Sequence, residues 1–349
     1  MKIFITGNMG YVGSTLTQYL KKKYPNVKLI GYDTSFFAHS LTGADFIPEQ
    51  GVFIQYFGDV RDIEESMLRG VDAVIHLAGV SNDPIGKKFE SVTADINRHA
   101  SVRLAKIAIK EGVKNFVFAS SCSMYGQTEG SARKETDTTN PLTAYARSKI
   151  GTEEDLKDTN LEQMIFTSLR FATACGWSNR LRLDLVLNDF VACAITSGEI
   201  TVLSDGTPWR PLIDVEDMSR AIDWAMMRKK DNGDQYLLIN AGKNSSNYQV
   251  KQIANSVAKL IPNTKILINE DALPDNRSYT VDFSKYEKLA PKFQPIVLLD
   301  QSISRLKDNL LKINFSNMNF RDSSFMRLNT LNEHINKGRI DKNLRWKIF

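Results

Sequence analysis

The stretch Met1-Lys-Ile-Phe-Ile-Thr-Gly-Asn-Met-Gly-Tyr-Val-Gly-Ser-Thr15 decides the fold. Its apolar residues predict a short buried strand over 2–6, and the residues over 11–22 predict a helix. Glycines also serve ordinary turns, but a glycine turn from a strand into a helix lets backbone N–H groups bind the pyrophosphate of a dinucleotide. The stretch therefore predicts a dinucleotide site whose candidate residues are Gly7, Asn8, Met9, Gly10, Tyr11, Val12 and Gly13.

A carboxylate follows the second predicted strand. That strand covers 27–32, and Asp33 comes about twenty residues after the glycine turn, where such sites place an acidic residue. A carboxylate there accepts hydrogen bonds from the ribose hydroxyls and repels a 2′-phosphate. Thr34, Ser35 and Phe36 follow without an Arg or Lys that could hold that phosphate. The sequence therefore predicts NAD rather than NADP.

Composition excludes several classes of protein. The 349 residues are 42% apolar and 24% charged, with a net charge of +5, and basic residues are spread along the chain. Such a spread is typical of a solvated surface rather than a nucleic-acid site. No apolar run reaches the roughly eighteen residues of a membrane helix. We expect no nucleic-acid partner and no membrane span.

The cysteines and histidines show no spacing typical of a metal site. The three cysteines also lack the pairing expected of a disulfide framework. Because the first predicted strand begins at Lys2, we expect no signal peptide. These features predict a protein of the reducing cytoplasm without a metal.

Strands and helices alternate through the first half of the chain, as in a doubly wound parallel sheet. The predicted fold class is α/β, a Rossmann-type doubly wound parallel sheet with a smaller C-terminal substrate-binding lobe. We expect residues 1–172 to form the NAD-binding domain, with 206–240 returning to it. Residues 173–205 and 241–349 should form the lobe, including one long helix over 180–198.

A phenol and an ammonium are predicted on one helix. Tyr145 and Lys149 stand four residues apart, one turn along the same face. The ammonium can favour the phenolate and make Tyr145 an acid/base for a hydroxyl group, although such pairs also occur by chance on helix surfaces. Ser121 follows a strand predicted over 115–120, at the end where doubly wound folds place their chemistry, and could share the reacting proton. We predict Ser121, Tyr145 and Lys149 as catalytic residues.

These features together resemble the extended short-chain dehydrogenase/reductases, and within them the NAD-dependent sugar-nucleotide epimerase/dehydratase group. The motifs that carry the resemblance are the glycine turn, Asp33, Gly58-Asp59-Val60, His76-Leu77-Ala78-Gly79, Asn97, Ser121 and Tyr145-x-x-x-Lys149. As a set they are specific, and the resemblance covers nearly the whole chain. It implies NAD as the cofactor and a nucleotide-diphosphate sugar as the substrate.

The resemblance also implies individual roles at the cofactor. Asp59 and Val60 would flank the adenine, and Leu77, Ala78 and Gly79 would run beside the phosphates and ribose. Asn97 would support the active-site geometry, and Lys149 could hold the nicotinamide ribose beside Tyr145. Further cofactor residues, at the ends of two strands and around the nicotinamide, would be Ser120, Phe171 and Thr173.

For the substrate, Arg210 and Arg277 resemble arginines that contact the nucleotide diphosphate, and a guanidinium binds phosphate oxygens in a bidentate manner. Each alone could equally form a surface salt bridge. Ser81 and Asn82 belong to a loop at the mouth of the site that could read the sugar or be a plain turn. We include Ser123 among the substrate residues.

At two positions the sequence departs from members of this group whose reaction is known, and both departures bear on the function. Cys122-Ser123 stands where 4,6-dehydratases carry Asp-Glu, so we expect no dehydration. Thr173-Ala174 replaces the Asn-Pro of UDP-galactose 4-epimerases, which leaves the substrate open. We predict an epimerase that works through a keto-sugar. The alternatives are a sugar-nucleotide dehydrogenase or ketoreductase of a deoxysugar or heptose pathway, and a non-catalytic NAD-binding sensor or scaffold.

The resemblance further implies a homodimer. The helices near 91–111 and 143–157 would pack against the same helices of a partner, although the apolar face of the first also fits burial within one chain. A basic amphipathic helix predicted over 324–337 would cover the sugar pocket or dock a partner.

Overall fold

The computed structural model describes residues 1–81, 83–127, 130–269, 272 and 278–347. Asn82 and Arg277, two of the predicted substrate residues, lie outside the described residues. The helix and strand bounds below refer to the described part of the chain.

A seven-stranded sheet forms the centre of the fold. Its strands are β1 (Lys2–Thr6), β2 (Lys28–Asp33), β3 (Ile54–Phe57), β4 (Ala73–His76), β5 (Asn115–Ser121), β6 (Ile165–Phe171) and, later in the chain, β10 (Tyr236–Ala241). The order is β10-β6-β5-β4-β1-β2-β3, and every neighbouring pair is parallel. The strand order reverses direction beside β1, which is where such sheets open a crevice for ligands. The predicted Rossmann-type parallel sheet is therefore confirmed.

Helices cover both faces of this sheet. They include α1 (Tyr11–Lys23), α2 (Asp83–Lys88), α3 (Glu90–Ala94), α4 (Ala100–Lys110), α5 (Ala144–Lys157) and α7 (Val215–Met227). Leu16 of α1 and Ile222 of α7 are buried in the core on one face, and Leu104 of α4 and Leu156 of α5 are buried on the other. Because both faces are covered, the strands are apolar almost throughout.

A separate core forms from later elements. They are β7 (Thr173–Cys175), α6 (Val186–Thr196), β8 (Glu199–Val202), β9 (Trp209–Asp214), β11 (Asn247–Gln249), α8 (Val250–Leu260), β12 (Lys265–Ile268) and α10 (Leu299–Lys312). Two further helices, α9 (Ser284–Leu289) and α11 (Arg327–Asn336), pack instead with the cores of the large sheet. Val191, Ile253 and Leu306, from α6, α8 and α10, are fully buried together. Leu331 and Leu344 instead pack with the core of the large sheet. The C-terminal residues therefore return to the sheet domain.

The predicted long helix over 180–198 is wrong at its start. The helix begins only at Val186, because tertiary bonds hold the preceding segment. The Leu183 N–H donates to the Phe325 carbonyl (3.1 Å), and the Asn188 side chain donates to the Arg182 carbonyl (2.9 Å). The sequence Arg-Leu-Arg-Leu-Asp-Leu over 180–185 alternates in the two-residue period of an extended segment. The sequence that follows is rich in Leu, Val and Ala, and this composition extends the predicted helix back to residue 180.

Helix α2 begins at Asp83, two residues after Ser81 of the predicted loop. The helix predicted near 91–111 is present, with a π-helical turn at Asp95–His99 between α3 and α4. The basic C-terminal helix corresponds to α11.

Among the described residues, no helix combines the length and apolarity needed to cross a bilayer. In the same part of the chain, no group of three or more His, Cys, Asp or Glu is arranged to hold a metal ion. The three cysteines are buried and free.

Candidate active site

A cavity of about 860 Å³ opens at the carboxyl ends of the central strands. It is lined by most of the predicted site residues. These are Gly7, Gly10, Tyr11, Val12, Gly13, Asp33, Asp59, Val60, Leu77, Ala78, Gly79, Ser81, Ser120, Ser121, Ser123, Tyr145, Lys149, Phe171, Thr173 and Arg210. Asn8, Met9 and Asn97 do not line it.

The glycine turn fixes one wall of the cavity. Gly7 has φ +74°, and a Cβ atom there would lie 2.7 Å from the Ala78 backbone nitrogen. A Cβ atom on Gly13 would lie 2.3 Å from the Gly7 carbonyl oxygen. Helix α1 begins at this turn without a side-chain cap at Gly10. Its first N–H groups are therefore available to an anion.

Asp33 is held rigidly beside this turn. One carboxylate oxygen accepts a hydrogen bond from the Met9 N–H (3.0 Å), and the other accepts from the Ser35 N–H (2.7 Å). Burial raises the pKa of the Asp33 carboxyl, while these two bonds act in the opposite direction. Because each oxygen has a second lone pair, the carboxylate can still accept bonds from two vicinal hydroxyls.

Asn8 and Asp59 have partners of their own at this end. The Asn8 amide donates to Gln55 Oε1 (2.7 Å). The Asp59 carboxylate accepts from the Arg61 backbone N–H and from Arg61 Nε, both at 2.9 Å. Asp59 therefore lines the cavity while its carboxylate forms an ion pair with Arg61.

Lys149 and Tyr145 lie at the other end of the cavity, on α5. Lys149 is only 4% exposed, and its ammonium donates to the Ala119 carbonyl at 2.6 Å. Nζ lies 4.5 Å from the Phe118 ring centroid and 5.7 Å from that of Tyr145. Burial lowers the pKa of Lys149 to about 8, with Glu153 acting in the opposite direction. At neutral pH the Lys149 side chain is therefore mostly protonated, so that a cation lies beside the half-buried Tyr145.

The serines after β5 form a short hydrogen-bonded turn. Ser121 Oγ donates to Ser123 Oγ (3.0 Å) and accepts from the Ser123 N–H (3.1 Å). The Ser120 hydroxyl is buried and has no hydrogen-bond partner among the described residues. Cys122 points away from this chemistry, because its buried thiol donates to the Arg170 carbonyl (3.1 Å) and burial raises its pKa.

Asn97 acts on the cavity through a neighbouring loop. Its Oδ1 accepts from the Val80 N–H (2.7 Å), and its Nδ2 donates to the Val80 carbonyl (2.9 Å) and to Ser148 Oγ (3.2 Å). A Cβ on Gly79 would lie 2.9 Å from Asn97 Oδ1. The asparagine in the π-helical turn therefore fixes the loop after β4 rather than facing the cavity.

Arg182 and Arg327 also line the cavity, and both were missed from the sequence. Arg182 donates to Ser81 Oγ (3.0 Å) and forms a bidentate pair with Asp184. The alternation of buried leucines with polar residues over 180–185 was the available signal for Arg182. Nothing local marks Arg327, since its neighbours come from distant parts of the chain.

The structural features of this cavity fit a dinucleotide. A close backbone approach is possible at the glycines, the first turn of α1 is uncapped, and Ser120 offers an unpaired hydroxyl within the described site. The carboxylate of Asp33 and the cation of Lys149 lie in the same cavity.

Comparison with known proteins shows which family the chain resembles. The model of the NAD dependent epimerase/dehydratase family matches residues 3–242. An uncharacterised UDP-glucose epimerase of Bacillus subtilis, YtcB, is 30% identical over 233 residues, which are 64% of this chain and 71% of that protein. A dTDP-D-glucose 4,6-dehydratase of Dictyostelium discoideum is 24% identical over 255 residues, which are 67% of this chain and 57% of that protein. The solved structure of MoeE5 in complex with UDP-glucuronic acid and NAD superposes with a TM-score of 0.76 at 21% identity, covering 89% of this chain and 99% of MoeE5.

Proposed function

Because the chain belongs to the NAD-dependent epimerase/dehydratase family, we propose that it is a nucleotide-sugar epimerase that works through a transient keto-sugar. The observation that carries this proposal is that Tyr145, Lys149 and Ser121 line the same cavity as the glycine turn. Acid/base groups and a dinucleotide cradle in one cavity are what reversible oxidation of an alcohol needs.

Tyr145 is the proposed acid/base. The nearby Lys149 ammonium favours its phenolate, which can accept the proton of a sugar hydroxyl and later return it. Ser121 would hydrogen-bond the reacting oxygen. When bound, NAD supplies a reversible acceptor for the hydride that leaves the sugar carbon and returns to the other face of the ketone. No net oxidation results.

The two ends of the cavity would divide the binding. Gly7, Gly10 and Asp33 would hold the pyrophosphate and ribose of NAD, and the neighbouring Asp59, Val60 and the loop from Leu77 to Gly79 would hold the rest of the adenosine half. Ser120, Phe171 and Thr173 would border the nicotinamide half. We propose that residues 1–172 with 206–240 form the cofactor domain and that 173–205 and most of 241–326 form the substrate lobe. Residues 279–290 and 327–347 belong with the cofactor domain in this proposal, because Tyr286, Leu331 and Leu344 pack in its core.

The proposed substrate is a nucleotide-diphosphate sugar. Arg210 lines the cavity on β9 and offers a cation for the diphosphate. Ser81 is positioned by its bond from Arg182 and could contact the sugar, as could Ser123. Asn82 and Arg277 stay predictions from the resemblance. UDP-sugars come first in the test, because the relative YtcB is described as a UDP-glucose epimerase.

We propose that the enzyme does not eliminate water. Elimination needs an acid and a base beside the reacting carbons. The thiol of Cys122 is buried against the Arg170 carbonyl, and Ser123 brings only a hydroxyl. Because one relative is described as a dTDP-D-glucose 4,6-dehydratase, the experiment must also test for loss of water.

The experiment is mass spectrometry of UDP-, GDP-, CDP- and dTDP-sugars incubated with enzyme and NAD in D2O, with 4-keto sugars and NADH in parallel. An isomer of unchanged mass supports the proposal with direct hydride return, and an isomer that gains deuterium supports epimerisation next to a ketone. A change of two hydrogens with turnover of NAD(H) would establish the dehydrogenase or reductase alternative instead. Loss of water would contradict the assignment of Cys122 and Ser123.

Tyr145→Phe is the decisive variant. It should bind NAD like the wild type and lose about 10²- to 10⁴-fold in kcat, the usual contribution of acid/base catalysis. Tyr24→Phe is the matched control, because Tyr24 bonds Asp223 far from the cavity (2.8 Å) and its loss should leave kcat unchanged. Silence of the wild type across the whole panel would favour the sensor or scaffold alternative.

We also propose a cytoplasmic homodimer. A shallow groove of about 450 Å³, lined by residues of α4 and by Asp155 of α5, contains the half-buried Val102 among charged side chains such as Arg103. The three buried free cysteines suit a reducing compartment. Val102→Glu should give the mass of one chain in light scattering, whereas the wild type should give the mass of two.

A further inference from the structure

The C-terminal segment 327–347 lies over the loop that follows β2. The Trp346 indole donates to the Thr34 carbonyl (2.6 Å), and His334 Nε2 forms a hydrogen bond with the Phe36 carbonyl (2.9 Å). Leu331 and Leu344 line the cavity from this segment. The segment therefore closes the same end of the cavity as Asp33.

Arg327 is the first residue of α11 and projects from this segment into the protein. It is 2% exposed, lines the cavity, and its guanidinium carbon lies 4.4 Å from the Phe37 ring centroid. Nη2 donates to the Arg180 carbonyl (2.9 Å). Nη1 is buried and has no hydrogen-bond partner among the described residues. A buried donor without a partner is costly, which points to a missing acceptor.

Arg327 forms no ion pair among the described residues, unlike its neighbours, and the carboxylates of Asp184 and Asp33 act on its charge only from a longer distance. Arg180 is paired in a bidentate manner with Glu49, and Arg182 is paired with Asp184. In the part of the chain that the structure describes, no carboxylate lies within ion-pair distance of Arg327. Burial lowers its pKa to about 9, so the group still carries its charge at neutral pH. An anion in the cavity would balance it.

The position of Arg327 indicates which anion. Its partner Arg180 follows Ser178, whose hydroxyl donates to the Tyr11 carbonyl (2.7 Å) and contacts Ser14 Oγ (2.9 Å). This segment therefore rests on the first turn of α1, where the N–H groups are uncapped. Arg327 lines the cavity in contact with Phe37 of the loop after Asp33, and it donates to this segment at the Arg180 carbonyl.

We propose that Arg327 binds the pyrophosphate of the dinucleotide, so that a residue from the far end of the chain completes the cofactor site. The proposal rests on the dinucleotide site proposed above. A guanidinium can bind two phosphate oxygens at once, which suits a group whose second terminal nitrogen is unused. The N-terminus of α1 would bind the pyrophosphate from one side and Arg327 from the other.

The test is competition of ligands against a fluorescent etheno-NAD probe on the full chain. Arg327→Gln should weaken NAD and ADP-ribose by about 10- to 100-fold, the range for a hydrogen bond to a charged group. Adenosine, which has no pyrophosphate, should bind as it does to the wild type. Arg327→Lys, which keeps the charge without the fork, should lose less.

Arg345→Ala is the matched control. Arg345 lies in the same segment but does not line the cavity, and its side chain forms an ion pair with Asp62. The variant without this ion pair should bind all three ligands like the wild type. Thermal unfolding of every variant would show whether the fold is intact.

Three outcomes would overturn the inference: unchanged NAD binding by Arg327→Gln, an equal loss for adenosine, or, with NADP added as a fourth competitor, a loss confined to NADP. The second would make Arg327 a structural residue, and the third would place it at the 2′-phosphate. If the wild type itself binds neither NAD nor ADP-ribose, the proposed cofactor site fails, and the role of Arg327 fails with it.

Discussion

Replacing Lys149 with methionine should stabilise the ligand-free fold at neutral pH while removing activity. The ammonium is buried, and burial lowers its pKa from 10.5 to about 8. At about 1.4 kcal/mol for each pH unit, holding this charge in the folded state costs about 3 kcal/mol. Methionine matches the length of the lysine stem and carries no charge. It leaves the Ala119 carbonyl without this donor, which offsets about 1–2 kcal/mol of the gain.

The stabilisation should depend on pH in one direction. Because the folded pKa lies below the unfolded one, the unfolded wild type holds more protons between about pH 8 and 10.5. Wild-type stability from this group therefore rises with pH over that window. Lys149→Met should be about 1–2 kcal/mol more stable than the wild type at pH 7, and this difference should fall by about 2–3 kcal/mol by pH 10.

Urea denaturation of both proteins at pH 7, 8.5 and 10 measures this difference. Lys157→Met is the control, since Lys157 is exposed on the same helix and its removal takes no charge out of the protein interior. A difference between Lys149→Met and the wild type that is constant from pH 7 to 10 would refute the reasoning. So would a variant less stable than the wild type at pH 7.

Two further predictions concern the cofactor end of the cavity. Gly13→Ala should lower the free energy of unfolding by about 1–3 kcal/mol and weaken NAD binding, because the new Cβ would lie 2.3 Å from the Gly7 carbonyl oxygen; urea denaturation and calorimetric titration measure the two effects, and an unchanged affinity would contradict the close fit. Asp33→Asn should weaken NAD by about 10-fold and raise NADP affinity relative to NAD, because the charge that repels a 2′-phosphate is lost; an unchanged NAD-to-NADP ratio in the same titration would contradict that role.

The sheet and the cofactor were predictable because their signals are local. The apolar strand, the glycines and Asp33 lie within the first 33 residues, and β1, the turn and α1 follow directly from them. The family match confirms an NAD-dependent protein of this fold. The roles of Ser121, Tyr145 and Lys149 stay predictions, although these residues line one cavity.

What could not be predicted depends on contacts between distant residues. Arg182 lies in a segment whose extended form is fixed by Phe325 and Asn188, so the composition of the following helix misled the prediction. Arg327 belongs to an amphipathic helix for which sequence offered a sugar-pocket cover or a partner site. The structure places the segment that it begins over the loop after β2, which neither alternative named.

The contact between Trp346 and Thr34 joins residues 312 positions apart. A ribosome adding 5–20 residues per second needs roughly 15 to 60 s to cover that distance. During this interval the glycine turn and α1 can form and meet cellular nucleotides while the closing segment has not yet been made. Capture of the cofactor during synthesis would therefore proceed through an open cleft, and its firm retention would begin only after segment 327–347 has emerged and docked.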